Sequence, residues 1–416
     1  SNNIDIDDPA EESLLAAGKK NRLGGKKKKR TRSTADINMD IDAGNADPYD
    51  EDVTFLREGL KENITVVSCA PSDQIRVCIG TGDGWLQLWD RSIPLPQSSL
   101  PPHLSPTRPI VPSKALQLTR EFDLTATKDI TTINWRPDCK YVAVASVEGN
   151  VRIINGGAET QLPPLHQGPV FAAKWSPSGA YLLTAGLDKT AVIWDVASER
   201  EKRVYRHHQG PIMDVDWRTD GSFATCSVDR TIAVYNDWTE QAEPVQIFMG
   251  HEDEVNSIAW DPTRTVLASC SDDCTARLWR TSQPSPIHTL SDHKKEIYTI
   301  KWSPVESRSG AHWLATASLD STVRLWDAET GKCVRTLAKH SDAVFAVAFS
   351  PDGDYLATGA RDSAVHIWSL REGVVVRSFN AGPGGALDLS WTKDGRSLIA
   401  SSSNDICVFD MPSAGL

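Results

Sequence analysis

Apolar and polar residues alternate along most of this chain in short runs, and the runs recur. Val255-Asn256-Ser257-Ile258-Ala259-Trp260 has the two-residue period of a half-buried strand, and Asp261-Pro262 then turns the chain. Val266 to Ser271 reads as a second strand, Asp272-Asp273 as a hairpin, Ala276 to Trp279 as a third strand and Ile287 to Leu290 as a fourth. The third run closes on an aromatic, and similar runs close at Trp89, Ile154, Trp194, Tyr235, Trp326, Trp368 and Phe409. Six of the seven intervals between these end points lie between 40 and 47 residues.

A period of that length with four short strands in each copy is the signature of WD repeats, each building one propeller blade. The expected fold is therefore all-β: a WD40 β-propeller of eight blades, four antiparallel strands each, over residues 52–416. The seventh interval, 65 residues, contains a stretch at about 91–118 with seven Pro, which excludes central strand and predicts a disordered excursion between blades one and two. The last copy ends at Phe409 without an outer strand of its own. Asp52 to Arg57, just ahead of the first copy, is strand-like and has no blade, so it is expected to pair onto the eighth blade and close the ring.

A second constellation fixes the register. Copies three to seven carry His166, His208, His251, His293 and His340, each four residues ahead of a strand start. The same copies carry Thr184, Thr225, Ser269, Thr316 and Thr358, each four residues before Asp188, Asp229, Asp273, Asp320 or Asp362. Six residues after each Asp comes Trp194, Tyr235, Trp279, Trp326 or Trp368. Copies one, two and eight lack both the His and the hydroxyl. Joint presence and absence predict one hydrogen-bonded unit per blade: His to Asp, His to hydroxyl, hydroxyl to indole. The same residue types make a catalytic triad, but catalysis needs one site and five copies imply bracing.

Composition adds limits. No stretch approaches the roughly 18 to 20 continuous apolar residues of a membrane helix, and no apolar signal core lies near the start. Eight Cys are scattered without a disulfide framework, which fits a reducing compartment; the Cys270/Cys274 pair lacks the further ligands of a zinc site. No cofactor is expected, and no phosphate loop or nucleophile elbow points to an enzyme. The formal charge of −11 argues against a face that grips nucleic-acid backbone. Residues 1–51 differ: a tail, expected to be disordered, carries Lys26, Lys27, Lys28, Lys29, Arg30 and Arg32, a block resembling a nuclear-localisation signal.

Loops at the mouth of the central channel are free of sheet duties, so partners are expected there. The second residue of each inner strand points to that mouth: Thr65, Thr131, Phe171, Met213, Asn256, Tyr298, Phe345 and Leu387. Neighbouring turns add Glu254, Asp272, Glu296, Leu319, Asp342 and Arg361. Aromatics beside carboxylates suit an Arg- or Lys-rich peptide, although solvated loop charge would look the same.

The segments Lys294 to Pro304, Ala185 to Thr190 and Gly250 to Asn256 with Trp260-Asp261-Pro262 resemble the transducin β-like (Ebi) branch of WD-repeat proteins and its fungal corepressor relatives, as does an insertion at Val305 to His312. The resemblance spans about residues 52–416. It implies a nuclear, non-catalytic subunit of a histone-deacetylase corepressor complex, contacting corepressor proteins and histone tails. In that family an N-terminal LisH segment oligomerises the protein; none is visible in residues 1–51, so oligomerisation would need an upstream segment. The family also implies an alternative, substrate receptor or exchange factor for a ubiquitin ligase, although no Trp-Asp-x-Arg pattern follows the repeats.

Overall fold

A computed structural model describes residues 53–56, 64–71, 76–90, 117–124, 129–236, 242–304, 312–402 and 405–411. The basic block at 26–32 and the rest of the tail lie outside them, as do residues 91–116 and most of the insertion after Pro304.

Eight four-stranded antiparallel sheets follow one another along the chain. Their inner strands are Ile64–Cys69, Ile130–Trp135, Val170–Trp175, Ile212–Thr219, Val255–Trp260, Ile297–Trp302, Val344–Phe349 and Asp388–Trp391. Each inner strand packs beside the next, and the last packs beside the first, so the sheets form a closed ring around an axis. Seven blades are built from consecutive strands. The eighth takes Asp388–Trp391, Ser397–Ser401 and Ile406–Asp410 from the end of the chain and Val53–Leu56 from its start. Val53 pairs with Phe409 and Leu56 with Ile406, so the ring is closed by the N-terminal strand. That strand satisfies an edge that would otherwise present unpaired N–H and C=O groups.

One boundary differs from the sequence reading. Gln117 and Leu118, assigned to the Pro-rich excursion, are the first two residues of the outer strand Gln117–Asp123 of blade one. They pair with Asp90 and Trp89, because the edge of the third strand needs partners to its end and no proline lies between Pro112 and Asp123 to prevent it.

The core is eight apolar clusters, one in each seam between adjacent blades. In the seam of blades three and four, Leu183, Ile193 and Tyr205 meet Trp217, Phe223 and Tyr235. At the closing seam, Ile64, Val67, Val77, Ile79 and Trp89 of blade one meet Ile399, Ile406 and Val408 of blade eight. Small residues such as Ala185, Ala224, Ala268 and Ala357 let the sheets approach, and each buried large side chain contributes roughly 1.5–3 kcal/mol. Closure therefore rests on apolar burial as well as on the strand latch.

Candidate protein-interaction face

The five His/Asp/hydroxyl sets come together inside their blades. His251 Nδ1 lies 2.7 Å from Asp273 Oδ2 and its Nε2 2.8 Å from Ser269 Oγ, which accepts the Trp279 indole N–H at 2.8 Å. The same chain runs through His166, Asp188, Thr184 and Trp194, and through His293, Asp320, Thr316 and Trp326. In blade four His208 joins Asp229 and Thr225, and Tyr235 replaces the indole, stacked on Phe223 at 4.9 Å. Blade seven joins His340, Asp362, Thr358 and Trp368, with both carboxylate oxygens 3.2 Å from the imidazole. Where the hydroxyl is missing, in blade one, the buried Trp89 indole N–H has no acceptor among the described residues.

Electrostatics agree with bracing. Burial would raise the Asp188 carboxyl, but its bonds to His166, the Gln167 N–H and Thr190 outweigh that and hold it at about 2. Asp320 also sits at about 2, and Asp229, Asp273 and Asp362 are lowered in the same way. Burial lowers His251, His293 and His340 despite their carboxylate partners. All five His are buried.

The tetrad also shapes the surface. After each Asp the chain turns through a residue with left-handed backbone: Lys189, Arg230, Cys274, Ser321 and Ser363, with φ between 64° and 70°. Such a conformation normally favours glycine. In blades one and two, without the tetrad, glycine does occupy it, as Gly84 and Gly149. In the braced blades the Asp side chain caps the turn, as Asp188 Oδ1 does by accepting the Thr190 N–H and hydroxyl. These positions are thereby free to carry side chains.

At the channel mouth, each of the first seven inner strands slips register across its second residue. A bulge there re-aims that side chain out of the strand's alternation. Phe171, Met213, Asn256, Tyr298 and Phe345 all occupy it and all keep some exposure, Tyr298 the most at 41%. Thr65, Thr131 and Asn256 spend theirs on the neighbouring blade, donating to the carbonyls of Ile130, Val170 and Ile297. Asn256 also donates to Asp272 at 2.6 Å. Burial and the adjacent Asp272 and Asp253 raise Glu254; burial, opposed by the Asn256 bond, together with Glu296 and Asp253 raises Asp272. The ring of Tyr298 meets Phe345 edge-to-face at 5.6 Å, and the charges of Asp272 and Glu254 add to burial in raising its phenol. Blades five and six thus place Glu254, Asp272 and Glu296 within one electrostatic neighbourhood beside an aromatic pair; exposed Arg361 stands on blade seven.

Two sets of residues escaped the sequence reading. The aromatics ending the inner strands form a second stitch: Trp135, Trp175, Trp217, Trp302 and Trp391 each donate the indole N–H to a carbonyl of the preceding blade, at 2.9–3.1 Å. Their 40-odd residue spacing was the available signal. The second is a half-buried network in which Lys174 Nζ lies 3.0 Å from Asp214, whose other oxygen accepts from Ser257, while Asp216 accepts the Trp260 N–H at 2.7 Å. Burial alone would lower Lys174, but Asp214 and Asp216 outweigh it and raise its pKa. This second network does not repeat from copy to copy, so periodicity could not expose it.

The model of the WD domain, G-beta repeat, matches residues 117–155, 160–195, 199–236, 242–280, 284–327 and 331–369. Each match joins the outer strand of one blade to three strands of the next. The chain is 44% identical to the human F-box-like/WD repeat-containing protein TBL1Y over 143 residues, 34% of this chain and 27% of that protein. It is 39% identical to the WD40 repeat-containing protein HOS15 of Arabidopsis thaliana over 234 residues, 56% of this chain and 36% of that one. These alignments span only about a quarter to a third of the relatives. The crystal structure of the C-terminal WD40 domain of Sif2 superposes with a TM-score of 0.71, covering 86% of this chain and 99% of that one at 20% identity, a likeness of fold alone. Fold, repeats and relatives agree: the chain belongs to the WD domain, G-beta repeat family, with transducin β-like proteins among its relatives.

Proposed function

We propose that this chain is a non-catalytic scaffold subunit of a nuclear histone-deacetylase corepressor complex, and that its channel mouth binds partner proteins or histone tails. One observation carries the binding reading. Glu254, Asp272 and Glu296 gather at the mouth beside Tyr298 and Phe345, with Glu254 and Asp272 raised first by burial and then by the neighbouring carboxylates. Such an arrangement costs stability and gains most when a cation enters it. Arg or Lys side chains supply that charge, with cation–π contact to the aromatic pair. Asn256 holds Asp272 in place, so its part is to position the carboxylate, while Phe171, Met213 and Arg361 extend the face. The kinship with TBL1Y and HOS15 supports the complex assignment, together with the resemblance of motif.

Affinity purification of the full chain from nuclear extract, followed by mass spectrometry, tests this: a histone deacetylase is expected, and its absence overturns the assignment. A second reading, substrate receptor or exchange factor for a ubiquitin ligase, is favoured by the words "F-box-like" in the relatives' names. Recovery of ligase subunits without a deacetylase would select it. For localisation, Lys26 to Arg32 is the expected import signal. A fluorescent fusion lacking 26–32 is expected to leave the nucleus; one that stays nuclear refutes that role.

A further inference from the structure

Four equivalent positions recur on the mouth of each braced blade: the residue before the inner strand, the bulged second residue, the residue before the tetrad Asp, and the left-handed residue after it. Their chemistry changes sharply around the ring. Blade five carries Glu254 at the first and Asp272 at the third, and blade six carries Glu296 at the first. Blades three and four carry no carboxylate at any of the four. Their first three positions are apolar, with Phe171, Leu187 and Met213 among them, all half-buried. Their left-handed positions are the exposed cations Lys189 and Arg230, where blades five to seven have Cys or Ser.

The cationic side is a shaped feature. Lys189, Thr190 and Arg206 border a depression of about 200 Å³ between blades three and four, floored by Leu165 and His208. Asp188 at its edge is committed to His166 and the Gln167 N–H. The two fields meet at the boundary of blades four and five, where Arg230 opposes the upward shift of Glu254.

Resting on the peptide-binding reading above, we infer that the partner is an extended segment of fixed charge order: a basic residue over blades five and six, apolar residues over Phe171 and Met213, and an acidic residue at Lys189 and Arg230. An unordered basic tail would satisfy only one of these three zones. Fixed charges at both ends also set direction, because reversing the segment places like charge on like.

The test uses the full chain and fluorescent synthetic peptides of one composition in two arrangements: basic–apolar–acidic, and the same residues with acidic and basic mixed. Lys189→Glu with Arg230→Glu is expected to weaken only the ordered peptide, about five- to tenfold at low salt. Replacing that peptide's acidic end by Lys restores its binding to the double variant. Lys189→Gln with Arg230→Gln, a milder change, is expected to weaken it about two- to threefold and guards against misfolding of the first pair. Glu254→Gln with Glu296→Gln is expected to weaken both peptides. If the cation variants leave the ordered peptide unaffected while the Gln pair at blades five and six weakens it, the inference falls and the peptide-binding reading stands. If the latter pair changes nothing, that reading falls and the inference with it.

Discussion

His366 lies against His340 in a tilted ring contact, centroids 4.5 Å apart and planes 33° apart, inside blade seven. His340 belongs to the tetrad, whereas His366 bonds Ser378 Oγ at 2.9 Å, and Ser378 also accepts from Lys339. Burial, then the charges of His340 and Lys339, lower the His366 pKa to about 3. Blade seven is also the one braced blade with Ala364 where the others place Thr, so Asp362 lacks the short Thr hydroxyl bond and has only a longer one from Ser341 Oγ at 3.4 Å.

Stability should therefore fall on mild acidification. An unfolded His titrates near 6.5, so the unfolded chain takes up a proton that folded His366 refuses. Stability then drops as pH falls from about 6.5 toward 3. Asp188 and Asp320, at about 2 when folded against about 3.9 unfolded, contribute fully above about pH 4 and lose that contribution as pH falls through about 2. Melting temperature measured between pH 7.5 and 4.5 is expected to decline, and His366→Phe should flatten the decline. An unchanged slope in that variant would assign the acid sensitivity elsewhere.

The blades should differ in how much a tetrad Asp contributes. Asp273 accepts from His251, Thr275 and the Glu252 N–H, and its loss leaves a buried imidazole without its partner. Asp273→Ala is expected to cost about 2–3 kcal/mol in denaturant unfolding, and Asp362→Ala about 1 kcal/mol less. Equal costs would mean the short Thr hydroxyl bond adds nothing over the longer one from Ser341.

Among the inner-strand indoles, Trp302 donates to Ala259 O, whereas buried Trp260 Nε1 has no acceptor among the described residues. Trp→Phe removes similar volume at both sites. Trp302→Phe should cost about 1 kcal/mol more than Trp260→Phe. If Trp260→Phe is the costlier, that indole has a partner.

Deleting the chain through Leu56 removes the outer strand of blade eight and leaves Ile406–Asp410 as an open edge. The whole ring, not a terminal segment, is expected to melt several degrees lower and to aggregate on heating. Unchanged melting would show that the apolar closing seam suffices alone.

How much of this was legible in the chain follows from what repeats. Hairpins, strand period and the His/hydroxyl/Asp/Trp spacing are local or periodic, so the eight-bladed ring, the tetrads and the latch could be read from residues and spacing. The channel mouth was half legible: position two was placed correctly in the first seven inner strands, whereas Leu387 precedes Asp388–Trp391, and neither the bulge at Tyr298 nor the bonds of the Asn256 amide to Ile297 and Asp272 were visible. Lys174 and Asp214 sit 40 residues apart on different blades, and nothing in one copy predicts their pairing. The sequence by itself determined which hydrogen bonds close within a blade, because both partners lie in one repeat at fixed separation. Only the tertiary structure decided which side chains meet across seams and which remain free for a partner, because that depends on how neighbouring sheets pack.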